Sequence, residues 1–313
     1  MVRCLRHWRR HLLISERSES FVSLERIKQK IPFYILVLPA VMLSVAVIFI
    51  PSLTTIGSSF TDWNGISSNM NFVGLQNYQE LLANETFTKA LTNNLKWMSM
   101  YLVIPVSLAM GASICLLHIK QRTFFQVIFL LPYVVAPIAN ALIWLDVIYS
   151  PVTGLFGYLR SHFGWMWLTS PLTKPSSALF GVAAVDIWHY WGYLCVVYLA
   201  ALRQTPADHL EAATLDGCTG WQLFRYIYFP SMLPTFKLMM MLIVIQSFMQ
   251  FDYVYLLTSG GPANATEMMG TQTYTYAFTL FQFGKAGAIA VMMSLIGLVA
   301  SVIYTRLSRN EAE

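Results

Sequence analysis

The sequence predicts an all-α membrane protein, a polytopic bundle of six transmembrane helices with both termini in the cytoplasm. Of its 313 residues, 56% are hydrophobic and 11% are charged, against about 25% charged in soluble domains. A bilayer core needs roughly 20 apolar helical residues to cross. Candidate spans are residues 32–53, 97–117, 124–148, 179–202, 238–257 and 286–305. These runs are continuous, whereas a membrane barrel requires short segments of alternating polarity.

The first 30 residues form a basic, polar arm ahead of the first span. The apolar run that follows is longer than the apolar core of a cleavable signal peptide, so residues 32–53 are expected to be retained as a span. The arm fits either a tail or an over-extended reading frame, and the true start stays open. Residues 31–306 form the transmembrane domain, and residues 307–313 form a short cytoplasmic tail.

Positive charge predicts the orientation of the spans. Fifteen of the twenty lysines and arginines lie in the arm, the turn after span two, the stretch after span four with its flanks, and the C-terminal end. The other five lie on the opposite side. Because cytoplasmic loops carry an excess of Lys and Arg, both termini and residues 203–234 are expected in the cytoplasm. The net charge of +5 then requires no nucleic-acid partner.

No pattern in the sequence predicts catalysis or a metal site. The chain contains no GxxxxGK[ST] phosphate loop, no HExxH and no GxSxG. His209 and Glu211 are two residues apart, so on a helix they diverge and cannot share a metal ion. The four cysteines form no CxxC and two of them lie inside spans, so neither a structural disulfide nor a zinc site is expected.

The stretch TPADHLEAATLDGCTGWQLFRYIYFP, residues 205–230, is a polar interruption between the fourth and fifth spans. Thr205 is expected to cap a helix that begins at Pro206 and runs to about Asp216. Gly217 is expected to supply the left-handed exit that ends many helices. The sequence therefore predicts a short helix followed by a tight turn on the cytoplasmic surface.

A second helix is expected to restart at Thr219 or Gly220 and to end at Pro230. Small residues on one face of the first helix would let another surface approach its backbone, while Glu211 stays available for a charge-assisted contact. This arrangement suits a docking element. An ordinary amphipathic connector lying along the membrane fits the same spacing.

The stretch resembles the EAA loop of inner-membrane permease subunits of binding-protein-dependent ABC importers. The matching positions are Glu211, Ala212, Ala213, Asp216, Gly217, Phe224, Ile227 and Pro230. Phe229 departs from the family's usual leucine but keeps an apolar side chain. SFTDWNG at 59–65, FVGLQNY at 72–78, LPYVVAPIANALIW at 131–144 and LTSGGPANAT at 257–266 are similar to the carbohydrate-uptake branch, in particular its maltose-type and glycerol-phosphate-type first permease.

The resemblance implies a mechanism. In this family the helix of the EAA loop docks in a cleft of a separate cytoplasmic ATPase, and closure of two ATPases around ATP switches the pathway from inward-facing to outward-facing. Glu211 would make the polar contact, Ala212 and Ala213 would pack closely, and Gly217 would set the angle of the turn.

The resemblance also implies the partners and the location. The partners are a second permease, with which this chain would form a heterodimer, an ATPase dimer, a solute-binding protein, a sugar substrate and membrane lipid. The ATPases would hold ATP and Mg, and this chain would bind no cofactor. The expected location is the inner or plasma membrane of a bacterium or archaeon.

Polar residues inside the spans are candidates for the substrate pathway, because such residues usually face a cavity or a partner helix. Gln246, Gln250 and Tyr253 are spaced i, i+4 and i+7, which predicts one helical face of amides and a phenol suited to a hydroxyl-rich ligand. The further candidates are Asn140, Asp186 and Trp188. A structural role also fits these residues: the stripe could contact a neighbouring helix, Asp186 could pair with a neighbour, and Trp188 could belong to an interfacial belt.

On the outer face, Gly260-Gly261-Pro262 is expected to form a turn. In the family this region and the loop over 63–78 lie near the docked solute-binding protein. The resemblance therefore implies that Trp63, Gly260, Gly261 and Pro262 contact that partner.

Two other classes of protein compete with this interpretation. An ion-coupled secondary transporter of a small polar solute would also contain spans and buried carboxylates, with Asp146, Asp186 and Asp252 as coupling groups. Six spans are few for such a transporter, and residues 205–230 would then have no role. A membrane-bound enzyme is the third class, without a recognisable catalytic motif. The sequence thus favours an ABC importer permease for a sugar or related polyol and leaves the particular sugar open.

Overall fold

The computed structural model describes residues 36–67 and 69–309, and most of them are helical. Within those ranges no strand forms, and an isolated antiparallel bridge joins Thr61 and Phe72. The prediction of an all-α protein is therefore confirmed. The basic arm over residues 1–30 and positions 310–313 of the predicted tail lie outside the described residues.

The described part of the first compact unit, residues 36–57, is helical throughout. Helix α1, Leu36–Ser58, has a mean hydropathy of 2.5 and includes a π turn at Val45–Phe49. The hydroxyls of Thr54 and Thr55 both donate to the carbonyl of Pro51. Each hydroxyl therefore has its hydrogen-bond acceptor within the helix, as polar groups in apolar surroundings require.

The second compact unit, described over residues 58–67 and 69–309, contains the remaining helices. In chain order they are α2 (Gln76–Ala83), α3 (Glu85–Leu117), α4 (Arg122–Val134), α5 (Pro137–Ile148), α6 (Leu155–Phe163), α7 (Pro175–Leu202), α8 (Ala207–Leu215), α9 (Gly220–Met249), α10 (Asp252–Thr258), α11 (Met269–Tyr274) and α12 (Phe283–Arg309). A π turn over Thr275–Thr279 continues α11.

Five helices of the described chain are long and apolar enough to cross a membrane: α1, α3, α7, α9 and α12. The pair α4 and α5 adds a sixth crossing if it counts as one span. The number of spans agrees with the six that hydropathy predicts.

The third predicted span, 124–148, is wrong as a single helix. Helix α4 ends at Val134, α5 begins at Pro137, and the two are bent by 91°. Val135 and Ala136 adopt extended backbone, with ψ of 131° and 139°. Pro137 disfavours helical backbone at the residue before it and fits the first position of a new helix, so this break has a local cause.

Helix α9 differs from the fifth predicted span, 238–257, at both ends, because it begins at Gly220 and ends at Met249. Pro230 does not end a helix, because a π turn over Phe224–Tyr228 shifts the hydrogen-bond register just before it, and α9 continues to Met249. The helix then breaks at Gln250, whose ψ is 126°. Gly270 of α11 approaches this break so closely that a Cβ there would lie 2.5 Å from the Gln250 carbonyl oxygen.

Helix α7 lies at the centre of the second unit and packs against α3, α4 and α9. Its buried residues include Leu194, Tyr198 and Leu202, which belong to the larger apolar core. Gly192 allows the closest approach, since a Cβ at this position would overlap the carbonyl oxygen of Phe129 on α4. A smaller core joins α2, α11 and α12.

Candidate functional site

A cavity of about 320 Å³ lies at the break between α9 and α10. Helices α3, α4, α5, α7, α9 and α10 contribute its walls. Its polar side chains include Tyr101, Asp186, His189, Gln246, Gln250, Asp252 and Tyr253. Four of the six residues predicted for the substrate pathway line it: Asp186, Gln246, Gln250 and Tyr253.

Asp186 projects from α7 and is buried beside this cavity. The Tyr101 hydroxyl and the Gln250 carboxamide are neighbours of its carboxylate, and His189 Nδ1 lies 4.0 Å from its Oδ1. No lysine or arginine of the described chain lies within ion-pair distance of this carboxylate. The neighbours of Asp186 are therefore phenol, amide and imidazole groups.

Several polar atoms around Asp186 have no hydrogen-bond partner among the described residues: the Tyr101 hydroxyl, Gln250 Nε2 and His189 Nε2. A buried polar group left unpaired costs about 1–3 kcal/mol. The Tyr101 hydroxyl and the Gln250 carboxamide lie beside the Asp186 carboxylate and form one polar cluster with it.

The helical-face argument for Gln246, Gln250 and Tyr253 is wrong, because the helix that should align them ends before Gln250. The three side chains nonetheless line one cavity, since the chain breaks at Gln250 and α10 then packs against α5 and α7. Asn140 lies next to them and donates a hydrogen bond of 2.8 Å to the Tyr253 hydroxyl. This bond ties α5 to α10.

Trp188 does not reach the cavity. Its side chain is 39% exposed and packs edge-to-face on Trp144, with ring centroids 5.6 Å apart. The structure thus separates Trp188 from the other pathway candidates.

The hairpin between α7 and α9 has the predicted turn. Gly217 has φ of +77°, its amide donates to Thr214, and the amide of Cys218 donates to the carbonyl of Ala213. These bonds form the left-handed ending of helix α8 that glycine favours. Thr219 then caps the next helix in a reciprocal box with Gln222.

Thr205 does not cap α8, so that part of the prediction is wrong. The residue before the helix is Pro206, and the Thr205 hydroxyl has no hydrogen-bond partner among the described residues. Pro206 has extended backbone, with φ of −59° and ψ of 136°, and the helix begins one residue later than expected. Thr205 is consequently too far from the first free amides to bind them.

The residues of the EAA-like pattern differ in how far they are exposed to solvent. Glu211, Ala212, Asp216, Gly217 and Pro230 are exposed, Phe224 and Ile227 are partly buried, and Ala213 is buried. Ala213 thus packs within the unit described here, and the surface of α8 is formed by its neighbours. Leu215 is 89% exposed and Trp221 is 70% exposed, which adds two large apolar groups that the motif does not identify.

The loop between α10 and α11 folds as two consecutive turns. The amide of Gly261 donates to Thr258, and the amide of Ala265 donates to Pro262. Gly260 is buried against Glu267, whereas Gly261 and Pro262 are partly buried. Ala263 and Asn264 form the exposed tip, where Lys89 of α3 donates to the Ala263 carbonyl.

Trp63 lies on the segment between α1 and α2 and is partly buried. Its indole nitrogen donates to the Ser67 carbonyl at 2.8 Å, and its ring packs on Phe283 at 5.5 Å. Residues near it line a second, polar cavity of about 270 Å³ with Glu80 and Lys285. The side chains of Lys285 and Glu80 form an ion pair of 2.8 Å there.

Comparison with known proteins decides the family. Residues 121–312 match the family described as the inner membrane component of binding-protein-dependent transport systems. The chain is 32% identical over 280 residues to a probable ABC transporter permease protein of Pyrococcus horikoshii, an alignment that covers 88% of this chain and 94% of the relative. This chain belongs to that permease family.

The permease is also 31% identical to a probable starch degradation products transport system permease of Thermoanaerobacterium thermosulfurigenes, over 90% of this chain and 96% of the relative. Its fold matches a membrane subunit of a bacterial alginate ABC transporter, solved in complex with an alginate pentasaccharide-bound periplasmic protein. That match has a TM-score of 0.80 and 21% identity, and covers 92% of the permease and 98% of the solved chain.

Sequence reasoning missed the aromatic wall of the permease cavity. Trp97 and Tyr101 of α3 stack with centroids 5.4 Å apart, and Tyr133 and Tyr190 complete the wall. The available signal was local: Trp97 and Tyr101 are spaced i, i+4, and Asn93 precedes Trp97 by the same interval. That polar and aromatic stripe indicated a buried face of α3.

Proposed function

We propose that this permease forms the translocation pathway for a sugar or related polyol delivered by a solute-binding protein. The observation that carries the proposal is the cavity at the break of α9. It offers a carboxylate at Asp186, an amide at Gln250 and a phenol at Tyr101, beside the aromatic ring of Tyr133. Polar groups fix the orientation of hydroxyl-rich ligands, and flat aromatic surfaces pack on their apolar faces.

The names of the relatives support this substrate class. One relative is named for transport of starch degradation products, and two of the matching solved structures concern import of alginate, an acidic polysaccharide. Both names denote carbohydrate cargo. The cavity of this chain has donor and acceptor groups that can bind sugar hydroxyls.

The hairpin around α8 is the proposed connection to a cytoplasmic ATPase dimer. Glu211 and Ala212 are exposed on α8, and Gly217 holds the turn that follows. Both chain ends and this hairpin would then lie in the cytoplasm, in agreement with the orientation that the excess of positive charge predicts. ATP and Mg would bind the ATPases, while a second permease would complete the pathway.

The solute-binding protein would dock on the opposite side. The proposed contacts are the segment around Trp63 and the loop with Gly260, Gly261 and Pro262, whose exposed tip is Ala263 and Asn264. Together these partners make an importer of the plasma membrane in which this chain is not itself an enzyme.

Reconstitution tests the proposal. The chain is co-expressed with the neighbouring importer genes, the complex is placed in proteoliposomes, and binding-protein-dependent ATP hydrolysis and uptake are measured for sugars, polyols, amino acids and peptides. Stimulation by a sugar or polyol is expected. Stimulation by an amino acid or peptide alone would show that the substrate class is wrong.

The same vesicles distinguish an ion-coupled transporter. Uptake is expected to stop when ATP is withdrawn and to continue when ionophores collapse the ion gradients. The reverse pattern would overturn ATP-driven import and assign the buried carboxylates to ion coupling.

A further inference from the structure

We infer that the cavity selects electrically neutral cargo and rejects anions, with Asp186 as the residue that determines this specificity. The inference rests on the proposed function and narrows the substrate class of the same cavity. Neutral sugars and polyols would pass, whereas uronates and sugar phosphates would be excluded.

The charged groups that line the cavity have one sign. Asp186 of α7 and Asp252 at the start of α10 both contribute carboxyl groups, and neither a lysine nor an arginine is among the described residues lining it. The remaining titratable neighbours are His189 and the tyrosines. Binding sites for carboxylate or phosphate groups usually present arginine or lysine donors, and this cavity lacks them.

A polar cluster around Asp186 is the place where a ligand would bind. Tyr101 is only 6% exposed, and its hydroxyl and Gln250 Nε2 make no hydrogen bond of good geometry in the described structure. Both groups are neighbours of the Asp186 carboxylate. They can donate to a ligand oxygen that approaches Asp186.

A hydroxyl group fits this arrangement and an anionic group does not. A hydroxyl can donate its proton to Asp186 while its oxygen accepts from Tyr101 or Gln250. A carboxylate offers no proton to Asp186 at neutral pH, and any anion would bring negative charge to a lining that already holds the carboxyl groups of Asp186 and Asp252. Because the described lining supplies neither lysine nor arginine, this chain would not replace the hydration that the anion loses with a cation.

Direct binding separates this selectivity from that of the solute-binding protein. The complex of the two permeases and the ATPase dimer is placed in lipid nanodiscs without the binding protein. Binding of radiolabelled maltotriose is compared with that of the matching trisaccharide carrying one uronate ring, and glycerol with glycerol 3-phosphate. The neutral member of a pair is expected to bind at least about tenfold more tightly, since juxtaposed like charges strongly oppose binding.

Variants then assign the effect to Asp186. Asp186→Asn removes the charge at constant shape and is expected to reduce the neutral-to-anion preference by about fivefold or more. Asp146→Asn is the matched control, because Asp146 is exposed and does not line the cavity. Gln250→Glu, which adds a second buried carboxylate, is expected to increase the preference.

Each outcome has a distinct meaning. Anions that bind as tightly as their neutral partners in the unaltered complex would overturn the inference. A preference that persists unchanged in Asp186→Asn would remove Asp186 as its source. If no sugar or polyol binds and none stimulates ATP hydrolysis with the binding protein present, the proposed function itself fails.

Discussion

The side-chain nitrogen of Asn94 donates a hydrogen bond of 2.7 Å to the carbonyl oxygen of Ser247, and both residues are buried. The side-chain oxygen of Asn94 accepts from the amide of Met269 at 2.9 Å. One carboxamide of α3 therefore holds both the end of α9 and the start of α11. These are the two elements that meet at the break beside the cavity.

Replacing Asn94 with alanine should destabilise the protein by about 1–3 kcal/mol, because it leaves a buried carbonyl and a buried amide unpaired. Thr92→Ala, on the exposed side of the same helix, should change stability by no more than about 0.5 kcal/mol. Thermal or denaturant unfolding of the purified protein in detergent measures both. Equal stability of the two variants would show that the Asn94 bridge contributes nothing.

Replacing Gly217 with valine should uncouple the importer while the chain still inserts into the membrane. Gly217 has φ of +77°, and a Cβ there meets no atom within 4 Å, so only backbone strain opposes the change. Left-handed backbone costs a non-glycine residue roughly 1–2 kcal/mol, and each kcal/mol is a factor of about five in an equilibrium. ATP hydrolysis stimulated by loaded binding protein should fall by about fivefold or more.

Gly220→Val is the matched control for Gly217, because a Cβ at Gly220 also meets nothing and its φ is not positive. It should retain most of the stimulated ATP hydrolysis. Normal uptake by Gly217→Val, or an equal loss in both variants, would show that the left-handed turn does not matter for coupling.

Replacing Tyr101 with phenylalanine should separate binding from stability. The Tyr101 hydroxyl makes no hydrogen bond of good geometry in the described structure and its polar neighbour is the Asp186 carboxylate, so its removal should lower the free energy of unfolding by no more than about 1 kcal/mol. Uptake should fall, because a group available to the cargo is lost. Unfolding and proteoliposome uptake are measured on the same preparation.

Tyr198→Phe provides the comparison. Its hydroxyl is also buried and unpartnered in the described structure, but Tyr198 does not line the cavity. Uptake should be unaffected in this variant. Equal uptake by the two phenylalanine variants would count against a ligand role for Tyr101.

The ion pair between Glu80 and Lys285 should make stability depend on acid pH. Hydrogen bonds from Lys285 and Gln76 hold the pKa of Glu80 below its ordinary value of 4.5. Its contribution is therefore present above that value and is lost as the pH falls through the lower pKa of the folded state. Wild type should melt above Glu80→Gln at neutral pH, and the difference should disappear in acid.

A double-mutant cycle with Lys285→Gln assigns this difference to the ion pair. In the Lys285→Gln background, Glu80→Gln should have a smaller effect at neutral pH. A gap in melting temperature that is the same at pH 7 and in acid, or the same in both backgrounds, would exclude the pair as its source.

The number and approximate positions of the long apolar helices were predictable from the sequence, because crossing a bilayer requires a local run of apolar residues. The left-handed turn at Gly217 and the capped restart at Thr219 were predictable for the same kind of reason, since each depends on neighbours in the chain. The break before Pro137 also has a local cause, although the length and apolarity of residues 124–148 predict one continuous span.

The tertiary structure alone decided where α9 breaks and what the break brings together. The break falls at Gln250 and Phe251, and neither proline nor glycine marks it in the sequence. The close approach of Gly270 and the hydrogen bonds of Asn94 come from distant parts of the chain. Hydropathy describes each segment separately, so it predicted six membrane spans, and the motifs predicted a permease. The cavity depends on which helices meet, and only packing could place Tyr101 and Gln250 beside Asp186.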